Sequence, residues 1–174
     1  PMGCYEDIDY ADVFVLWGNN MAEMHPVLFS RILDRKNKDR KIKIIDLATR
    51  TTRTSYAADK SIIFVPQTDL AIANSICFEI LNNDKINIDF LNKHVSFKKG
   101  KTNIGYGLED DFKFKDKLEG IDLKKVKEFL EDYTPEKVSK YAGVSVKEIR
   151  YLASLYADPK LKIMSLWCMG VNQH

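Results

Sequence analysis

Residues 13–26 read VFVLWGNNMAEMHP, and this stretch decides the fold. It begins as an apolar run of β-branched and aromatic residues, which is typical of a buried strand. The run stops at Gly18-Asn19-Asn20, a turn sequence, and Pro26 then suits the first turn of a helix. A buried strand followed at once by a helix predicts an open α/β sheet, and in such sheets ligands bind beyond the carboxyl ends of the strands.

Three more apolar runs of similar length predict three more strands. The first predicted strand covers 12–17, and the other three cover 42–47 (IKIIDL), 61–66 (SIIFVP) and 161–167 (LKIMSLW). Helical spacing of apolar residues predicts helices near 25–35, from Thr68 or Asp69 onward, and within 86–97, 122–133, 134–143 and 145–157. Strands that alternate with helices indicate the α/β class. The expected fold is a Rossmann-like, doubly wound, mainly parallel sheet with flanking helices and a helical insertion.

The domain organisation is expected to be a single α/β domain over residues 1–174. Its parts would be a first βαββα part (1–85), a loop and helical part (86–157), and the last strand with the loop that follows it (158–174). Two polar stretches are expected to be irregular, TRTTRTSYAADK (49–60) and a charged surface excursion (98–120). The chain starts at Pro1 without an initiator methionine, so we expect an internal fragment of a larger protein.

The composition excludes several classes of partner. The net charge is +2, from 27 basic and 25 acidic residues, which argues against binding to nucleic acid or to an anionic membrane surface. No apolar run approaches the roughly 18–20 residues that a membrane helix needs. The cysteines Cys4, Cys77 and Cys168 are far apart, which fits neither a disulfide framework nor a zinc site. We expect Cys77 and Cys168 to be small buried hydrophobic residues.

A polar segment follows each of the four predicted strands. These segments read WGNNMAEM, LATRTTR, PQTD and CMGVNQH. Because the carboxyl ends of parallel strands meet at one edge of a sheet, the four segments are expected to converge on one crevice. This arrangement predicts an extended polar ligand that lies across the top of the sheet.

The residue types in these segments suit a nucleotide. Gly18 lets the backbone approach a ligand closely, and the amides that follow it suit a phosphate. Arg50 and Arg53 can bind phosphates or stack on a base. Asp69 can accept two hydrogen bonds from the edge of a guanine. The side-chain amides can read ribose or pterin edges, and they are Asn19, Asn20, Gln67 and Gln173.

Structural interpretations of the same residues stay open. Asn19-Asn20 is also a turn sequence, Asp69 is also a helix cap, and methionines such as Met24 are commonly core residues. The GxGxxG fingerprint of dinucleotide-binding folds is absent, although Asp46 with Arg50 resembles an NADP site. Neither a Ser-His-Asp spacing nor an HExxH or P-loop motif is present.

Several longer motifs resemble one family. The segments WGNNMAEMHP (17–26), KGKTNIGYGL (99–108), PQTDLAI (66–72) and LYADP with IMSLWCMGVNQH (155–174) are similar to the catalytic subunits of periplasmic nitrate reductases, within the molybdopterin oxidoreductase (DMSO reductase) superfamily. The resemblance implies Mo-bis(molybdopterin guanine dinucleotide) as cofactor and a two-electron reduction of nitrate to nitrite. It also implies a periplasmic location, a 4Fe-4S cluster elsewhere in the parent protein and a c-type cytochrome as electron donor.

The resemblance also implies which residues contact the cofactor. These residues are Trp17, Gly18, Asn19, Asn20, Met21, Ala22, Glu23, Met24, Ala48, Thr49, Arg50, Thr51, Thr52, Gln67, Thr68, Asp69, Met169 and Gln173. The second segment, ATRTT, departs from the family pattern, and Cys168 replaces a threonine. The cysteine that binds molybdenum and the cluster cysteines are expected upstream, so no catalytic or metal residue is assigned here and the fragment alone is expected to be inactive.

Two other classes of function stay open. One is a different enzyme of the same superfamily, such as a formate dehydrogenase or an assimilatory nitrate reductase. The other is a nucleotide-binding Rossmann-like module without a redox role. The sequence upstream of the chain would separate them, because a cluster motif of cysteines there excludes the second class.

Overall fold

A computed structural model describes residues 3–95, 97–99, 119–120 and 122–172 of the chain. The strands are β1 (Val13–Trp17), β2 (Lys43–Ala48), β3 (Lys60–Ile63), β4 (Lys98–Lys99), β5 (Glu119–Gly120) and β6 (Ile163–Trp167). The helices are α1 (Met21–Met24), α2 (Pro26–Lys38), α3 (Arg53–Ala57), α4 (Asp69–Asn82), α5 (Ile88–His94), α6 (Leu123–Leu130), α7 (Pro135–Ala142), α8 (Val146–Tyr156) and α9 (Met169–Asn172). Two short 3₁₀ turns cover Tyr5–Asp9 and Glu131–Tyr133.

The main sheet has four strands in the order β3-β2-β1-β6. Every neighbouring pair in it is parallel. The connections from β1 to β2 and from β2 to β3 step outward on one side of β1, whereas β6 lies on its other side. The direction of winding therefore reverses between β1 and β6, which is the topological switch point of a doubly wound sheet. The predicted α/β class with a parallel sheet is confirmed.

Both faces of the sheet are covered by apolar layers. Side chains of β1 alternate between them, so that Val13 and Val15 belong to the core with α4, α7 and α8, and Phe14 and Leu16 to the core with α2. All five residues of β1 are buried. A strand that is buried on both faces has no solvent-facing positions, and this is why its sequence reads as a continuous apolar run.

Several sequence predictions about local structure were wrong. The stretch 49–60 was expected to be irregular, but it contains α3, which starts after a capping box between Thr52 and Ser55. By contrast, the helix expected near 25–35 is confirmed as α2, Pro26–Lys38, and the short helix α1 precedes it. The third strand ends at Ile63, whereas it was expected to continue to residue 66.

The helical insertion follows the capping signals in the sequence. Asp122, Thr134 and Ser145 each accept a hydrogen bond from a backbone amide in the first turn of the helix that follows. Gly143 ends α7 with φ 70°, a left-handed conformation that glycine adopts without strain. The helices α7 and α8 pack against α4, so the insertion covers one face of the sheet.

The charged stretch 98–120 lies largely outside the described residues. Of it, the structure describes Lys98–Lys99 and Glu119–Gly120, which pair as antiparallel strands. The division of the chain into parts at residues 85 and 157 stays a prediction. Cys77 is exposed, so the expectation that it is buried was wrong, and Cys168 is half-buried. Among the described residues, none of the helices combines the length and the apolar character that crossing a membrane requires.

Candidate functional site

The carboxyl ends of the four parallel strands meet at one edge of the sheet. Trp17 at the end of β1 is the register partner of Leu47 in β2 and of Trp167 in β6. Ala48 at the end of β2 pairs with Ile63 at the end of β3. Neighbouring strands lie about 4.8 Å apart. The four polar segments therefore begin side by side, as the sequence predicted.

The first segment turns sharply at Gly18. Its φ is 57°, and its amide donates to the carbonyl oxygen of Leu47 at 2.7 Å. A Cβ added at Gly18 would meet no heavy atom within 4 Å, so the space above this turn is open. A side chain at this position would project from the turn into that space. The glycine thus leaves the backbone bare at the edge of the sheet.

Asn19, the next residue, carries a buried acceptor without a partner. The residue is 5% exposed, and its Oδ1 accepts no hydrogen bond from any described residue. A buried polar atom left in this state costs about 1–3 kcal/mol. Such atoms are rare in folded proteins and call for a water molecule or a ligand. A water molecule or a polar ligand at the carboxyl edge would satisfy this oxygen.

The rest of the first segment divides between core and surface. The side chain of Met21 is 1% exposed and packs in the core with α2, so only its backbone is available to a ligand. Met24 is 68% exposed. The Nδ2 of Asn20 donates to Oε2 of Glu23. The other carboxylate oxygen of Glu23, Oε1, lies 3.4 Å from Nε of Arg53.

The second segment is exposed and ends in a helix cap. Thr49, Arg50 and Thr51 are exposed beyond Ala48, which is buried. Thr52 accepts from the backbone amide of Ser55, and its own amide donates to Oγ of Ser55 at 2.9 Å. The predicted residues of this segment thus lie at the edge of the sheet, in a loop whose far end is fixed by α3.

Sequence reasoning missed Thr54, which joins the first two segments. It is fully buried, and its Oγ1 donates to Oδ1 of Asn20 and accepts from the backbone amide of Ala22, both at 3.0 Å. Thr54 follows the strand end by six residues, in a stretch expected to be irregular. The capping pattern of Thr52 with Ser55 was the available signal, because it places residue 54 in the first turn of a helix.

Asp46 lies beneath the second segment. It is 1% exposed, and its Oδ2 accepts from Oγ of Ser55 at 2.6 Å and from Oγ of Ser61 at 3.2 Å. Burial raises the pKa of its carboxyl above the ordinary value, and the two serine hydrogen bonds oppose this shift. Because Asp46 faces these serines inside the fold, it is not presented to a ribose as the NADP alternative requires.

The third segment begins after two anchoring hydrogen bonds. The amide of Phe64 donates to Ala48 O and that of Val65 donates to Ala142 O, both at 2.9 Å. Gln67 then adopts φ 68° and is exposed. Within the described residues, the carboxylate of Asp69 has one hydrogen bond, from the amide of Leu70 to Oδ1 at 2.8 Å. The other carboxylate oxygen is available to a ligand. Thr68 is turned away, since its hydroxyl donates to Val65 O at 2.6 Å.

The fourth segment follows β6. Trp167 and Met169 are 55% and 60% exposed, and Cys168 between them is half-buried. Met169 begins the short helix α9. Its predicted neighbour at the site, Gln173, lies outside the described residues. The structure therefore brings the first three segments and Met169 to one edge, and their assignment to cofactor binding stays a prediction.

Comparison with known proteins identifies the family. The family model described as molybdopterin oxidoreductase matches residues 4–174. The chain belongs to the molybdopterin oxidoreductase family. Its fold is also that of a solved structure, acetylene hydratase from Pelobacter acetylenicus, with a TM-score of 0.71 at 18% sequence identity. The match covers 98% of this chain and 19% of that one, so the chain spans about a fifth of the length of the protein that it matches.

Membership of this family implies a molybdenum–molybdopterin cofactor, and the edge of the sheet fits such a group. A pterin and its phosphates carry many hydrogen-bonding atoms, and the edge offers an orphaned acceptor on Asn19, an open turn at Gly18, and exposed polar side chains on three segments. Among the described residues, no group of three or more His, Cys, Asp or Glu side chains is placed to hold a metal ion. The fit therefore concerns the organic part of the cofactor.

Two concavities among the described residues lie away from this edge. A cavity of about 730 Å³ opens at the amino ends of β2 and β3, lined by Lys43, Lys60 and Glu148 among others. An apolar groove of about 1150 Å³ runs between α4, α5 and α6. Neither is at the carboxyl edge.

Proposed function

We propose that the chain is the domain of a periplasmic nitrate reductase catalytic subunit that binds one guanine dinucleotide arm of Mo-bis(molybdopterin guanine dinucleotide). One observation carries the proposal. Polar segments follow all four parallel strands along the carboxyl edge, which includes the switch point between β1 and β6, and Asn19 Oδ1, a buried acceptor without a partner among the described residues, lies at this edge. Large nucleotide-containing ligands bind at this point in doubly wound sheets.

Each part of the edge has a distinct role in this proposal. Gly18 admits the cofactor close to the backbone because it presents no side chain. Asn19 gains a hydrogen bond from the cofactor through its orphaned Oδ1. Asp69 accepts from the two N–H groups of a guanine edge, and a carboxylate is the side chain best suited to that pattern. Arg50 is exposed on the second segment and pairs with phosphate.

The substrate part of the proposal rests on sequence motifs. NMAEMHP (20–26) and IGYGL (104–108) resemble periplasmic nitrate reductases in particular, whereas the GxN…HP and MGxNQH patterns recur across the superfamily. When bound, the molybdenum with its dithiolenes supplies the chemistry that reduces nitrate with two electrons and two protons to nitrite and water. This chain binds and orients one arm of that group. The electrons arrive through a 4Fe-4S cluster, from a c-type cytochrome in the periplasm, and the cluster ligands are outside this chain.

The first experiment uses the full-length parent protein. Its molybdenum content is measured together with nitrate-dependent oxidation of reduced viologen in the same preparation. Molybdenum with nitrite formation supports the proposal. Molybdenum without nitrate turnover keeps the family and refutes the substrate, and formate is then the next substrate to test. A folded preparation without molybdenum, from cells that make the cofactor, refutes cofactor binding.

The guanine assignment has its own test in the parent protein. Asp69→Ala removes a charged acceptor, and a hydrogen bond to a charged group contributes roughly 1.5–3 kcal/mol. Molybdenum occupancy at limiting cofactor should therefore fall about tenfold or more. Asp122→Ala is the matched control, because Asp122 also accepts a backbone amide at the start of a helix, that of Lys125, but lies away from the edge. Equal occupancy in both variants would refute the role of Asp69.

A further inference from the structure

Helix α3 carries two adjacent buried hydroxyl groups, on Thr54 and Ser55, that reach different segments of the edge. Thr54 is fully buried and Ser55 is 8% exposed. Neither residue was among those that the sequence assigned to the cofactor. Both hydroxyls are engaged in more than one hydrogen bond, and each bond leads to a residue of the first or second segment, or to the strand beneath them.

Thr54 holds the first segment from below. Its Oγ1 donates to Asn20 Oδ1 and accepts from the amide of Ala22, both at 3.0 Å. Ala22 is within the four-residue helix α1, which is too short to be stable by itself. The conformation of the turn after β1 therefore depends on a contact from another part of the chain. Asn19, with its orphaned oxygen, sits directly before the residues that Thr54 holds.

Ser55 holds the second segment. Its Oγ accepts from the amide of Thr52 at 2.9 Å and donates to Oδ2 of Asp46 at 2.6 Å. Asp46 lies in β2, a central strand of the sheet, and its register partner Ser61 in β3 also donates to it. The far end of the exposed loop at 49–52 is thus connected through one hydroxyl to the buried sheet.

We propose that Thr54 and Ser55 are positioning residues that hold the first two segments in the geometry that receives the cofactor before it binds. The inference rests on the proposed function. Pre-ordered loops lose less conformational freedom on binding, so the affinity for the ligand rises without a new contact to it. The two side chains act through Asn20, Ala22 and Thr52 and are not expected to touch the cofactor themselves.

The test compares variants of the full-length parent protein. Thr54→Val keeps the shape of the side chain but removes both hydrogen bonds, and Thr54→Ser restores a hydroxyl. Ser55→Ala removes the second connection. Ser75→Ala is the matched control, because Ser75 is fully buried in α4, and its Oγ has no hydrogen-bond partner among the described residues. Hydrogen exchange at peptides over 20–24 and 50–53 is measured in cofactor-free protein, and molybdenum per polypeptide is measured after loading.

We expect Thr54→Val to speed exchange over 20–24 by roughly tenfold, since the amide of Ala22 loses its acceptor, and to lower molybdenum occupancy at limiting cofactor by a similar factor. Thr54→Ser should recover both values. Ser55→Ala should speed exchange over 50–53 and also lower occupancy, and it serves as the test if Thr54→Val does not fold. The Ser75→Ala control should match the wild type in both measurements.

Two results overturn the inference. One is unchanged exchange in both variants. The other is faster exchange with wild-type occupancy, which would make the hydroxyls structural only. If the wild-type parent holds no molybdenum, the proposed function fails and this inference fails with it as a statement about cofactor binding. If the wild type and the Thr54 and Ser55 variants all reach normal molybdenum occupancy, the positioning role is refuted and the proposed function stands.

Discussion

Trp17 and Trp167 lie directly opposite each other in the last register row of β1 and β6, but they differ elevenfold in exposure. Trp17 is 5% exposed and Trp167 is 55% exposed. The indole of Trp17 donates to Tyr156 OH at 3.2 Å, so helix α8 covers it. Trp167 is on β6, one of the two edge strands of the four-stranded sheet, at the switch point where the cofactor is proposed to bind. One ring thus belongs to the core, and the other is exposed beside the proposed site.

This difference predicts the fluorescence of the two tryptophans. The chain contains two, so each is observed alone after replacement of the other. Trp17→Phe leaves Trp167, whose emission should be red-shifted and readily quenched by acrylamide. Trp167→Phe leaves Trp17, whose emission should be blue-shifted and protected. Equal quenching of the two variants in the folded chain would contradict the difference in exposure between Trp17 and Trp167.

A second prediction compares two glycines that have positive φ among the described residues, Gly18 (57°) and Gly143 (70°). Alanine at either position should destabilise the chain by about 1–2 kcal/mol, because L-residues are strained in this conformation. Gly143→Ala should cost more, since its Cβ would lie 3.2 Å from Cγ2 of Val65. Gly18→Ala meets no protein atom but projects from the cofactor edge. Urea unfolding of the chain measures the loss of stability in both variants.

Molybdenum occupancy of the full-length protein measures whether the added Cβ at position 18 obstructs the proposed cofactor site. Gly18→Ala should reduce occupancy strongly, while Gly143→Ala should reduce it little at temperatures where the protein stays folded. Stability loss would be common to both variants, so the comparison separates strain from obstruction of the site. The reverse order of occupancy would contradict the position assigned to Gly18.

The sequence predicted the sheet and its edge because these depend on patterns that burial imposes directly. A strand that is covered on both faces must be apolar throughout, as β1 is. The glycine at position 18 predicts a turn because glycine adopts a positive φ without strain, and its φ in the structure is 57°. The convergence of the polar segments then follows from the parallel order of the strands. These features are local in sequence or follow from topology, so they are readable without coordinates.

The features that sequence reasoning missed depend on contacts between distant residues. Helix α3 has only five residues, and its hydroxyl side chains favour caps and turns, so it has no helical signature of its own. Its stability comes from bonds to Asp46 and Asn20. Cys77 was expected to be buried, but it is rotated about 100° on α4 from its neighbour Ile76, which is buried.

A third prediction concerns the core. Phe14 is fully buried in the layer with α2, so Phe14→Ala should lower the free energy of unfolding of the chain by about 3–5 kcal/mol. Phe90→Ala is the control, because Phe90 is 55% exposed, and its effect should stay below about 1 kcal/mol. Urea unfolding followed by circular dichroism measures both. Similar losses in the two variants would contradict the burial of β1 on both faces.

The last prediction concerns the pH dependence of stability through Asp46. Burial raises the pKa of its carboxyl in the fold, so between the ordinary value of about 4 and the raised value the folded chain binds more protons than the unfolded chain. The contribution of Asp46 to the free energy of unfolding must then fall as pH rises through this window. Above the raised pKa, the destabilisation that results from burying the ionised carboxylate of Asp46 is fully present.

Asp46→Asn removes this titration. The free energy of unfolding of the variant, minus that of the wild type, should therefore rise with pH from about pH 4 until Asp46 is ionised in the fold. Asp9→Asn is a control of opposite sign, because the hydrogen bond from Arg31 lowers the pKa of Asp9, and that contribution is lost as pH falls. Urea titrations at a series of pH values measure both differences. Parallel stability profiles for Asp46→Asn and the wild type would mean that Asp46 is not the buried acid to which Ser55 and Ser61 donate.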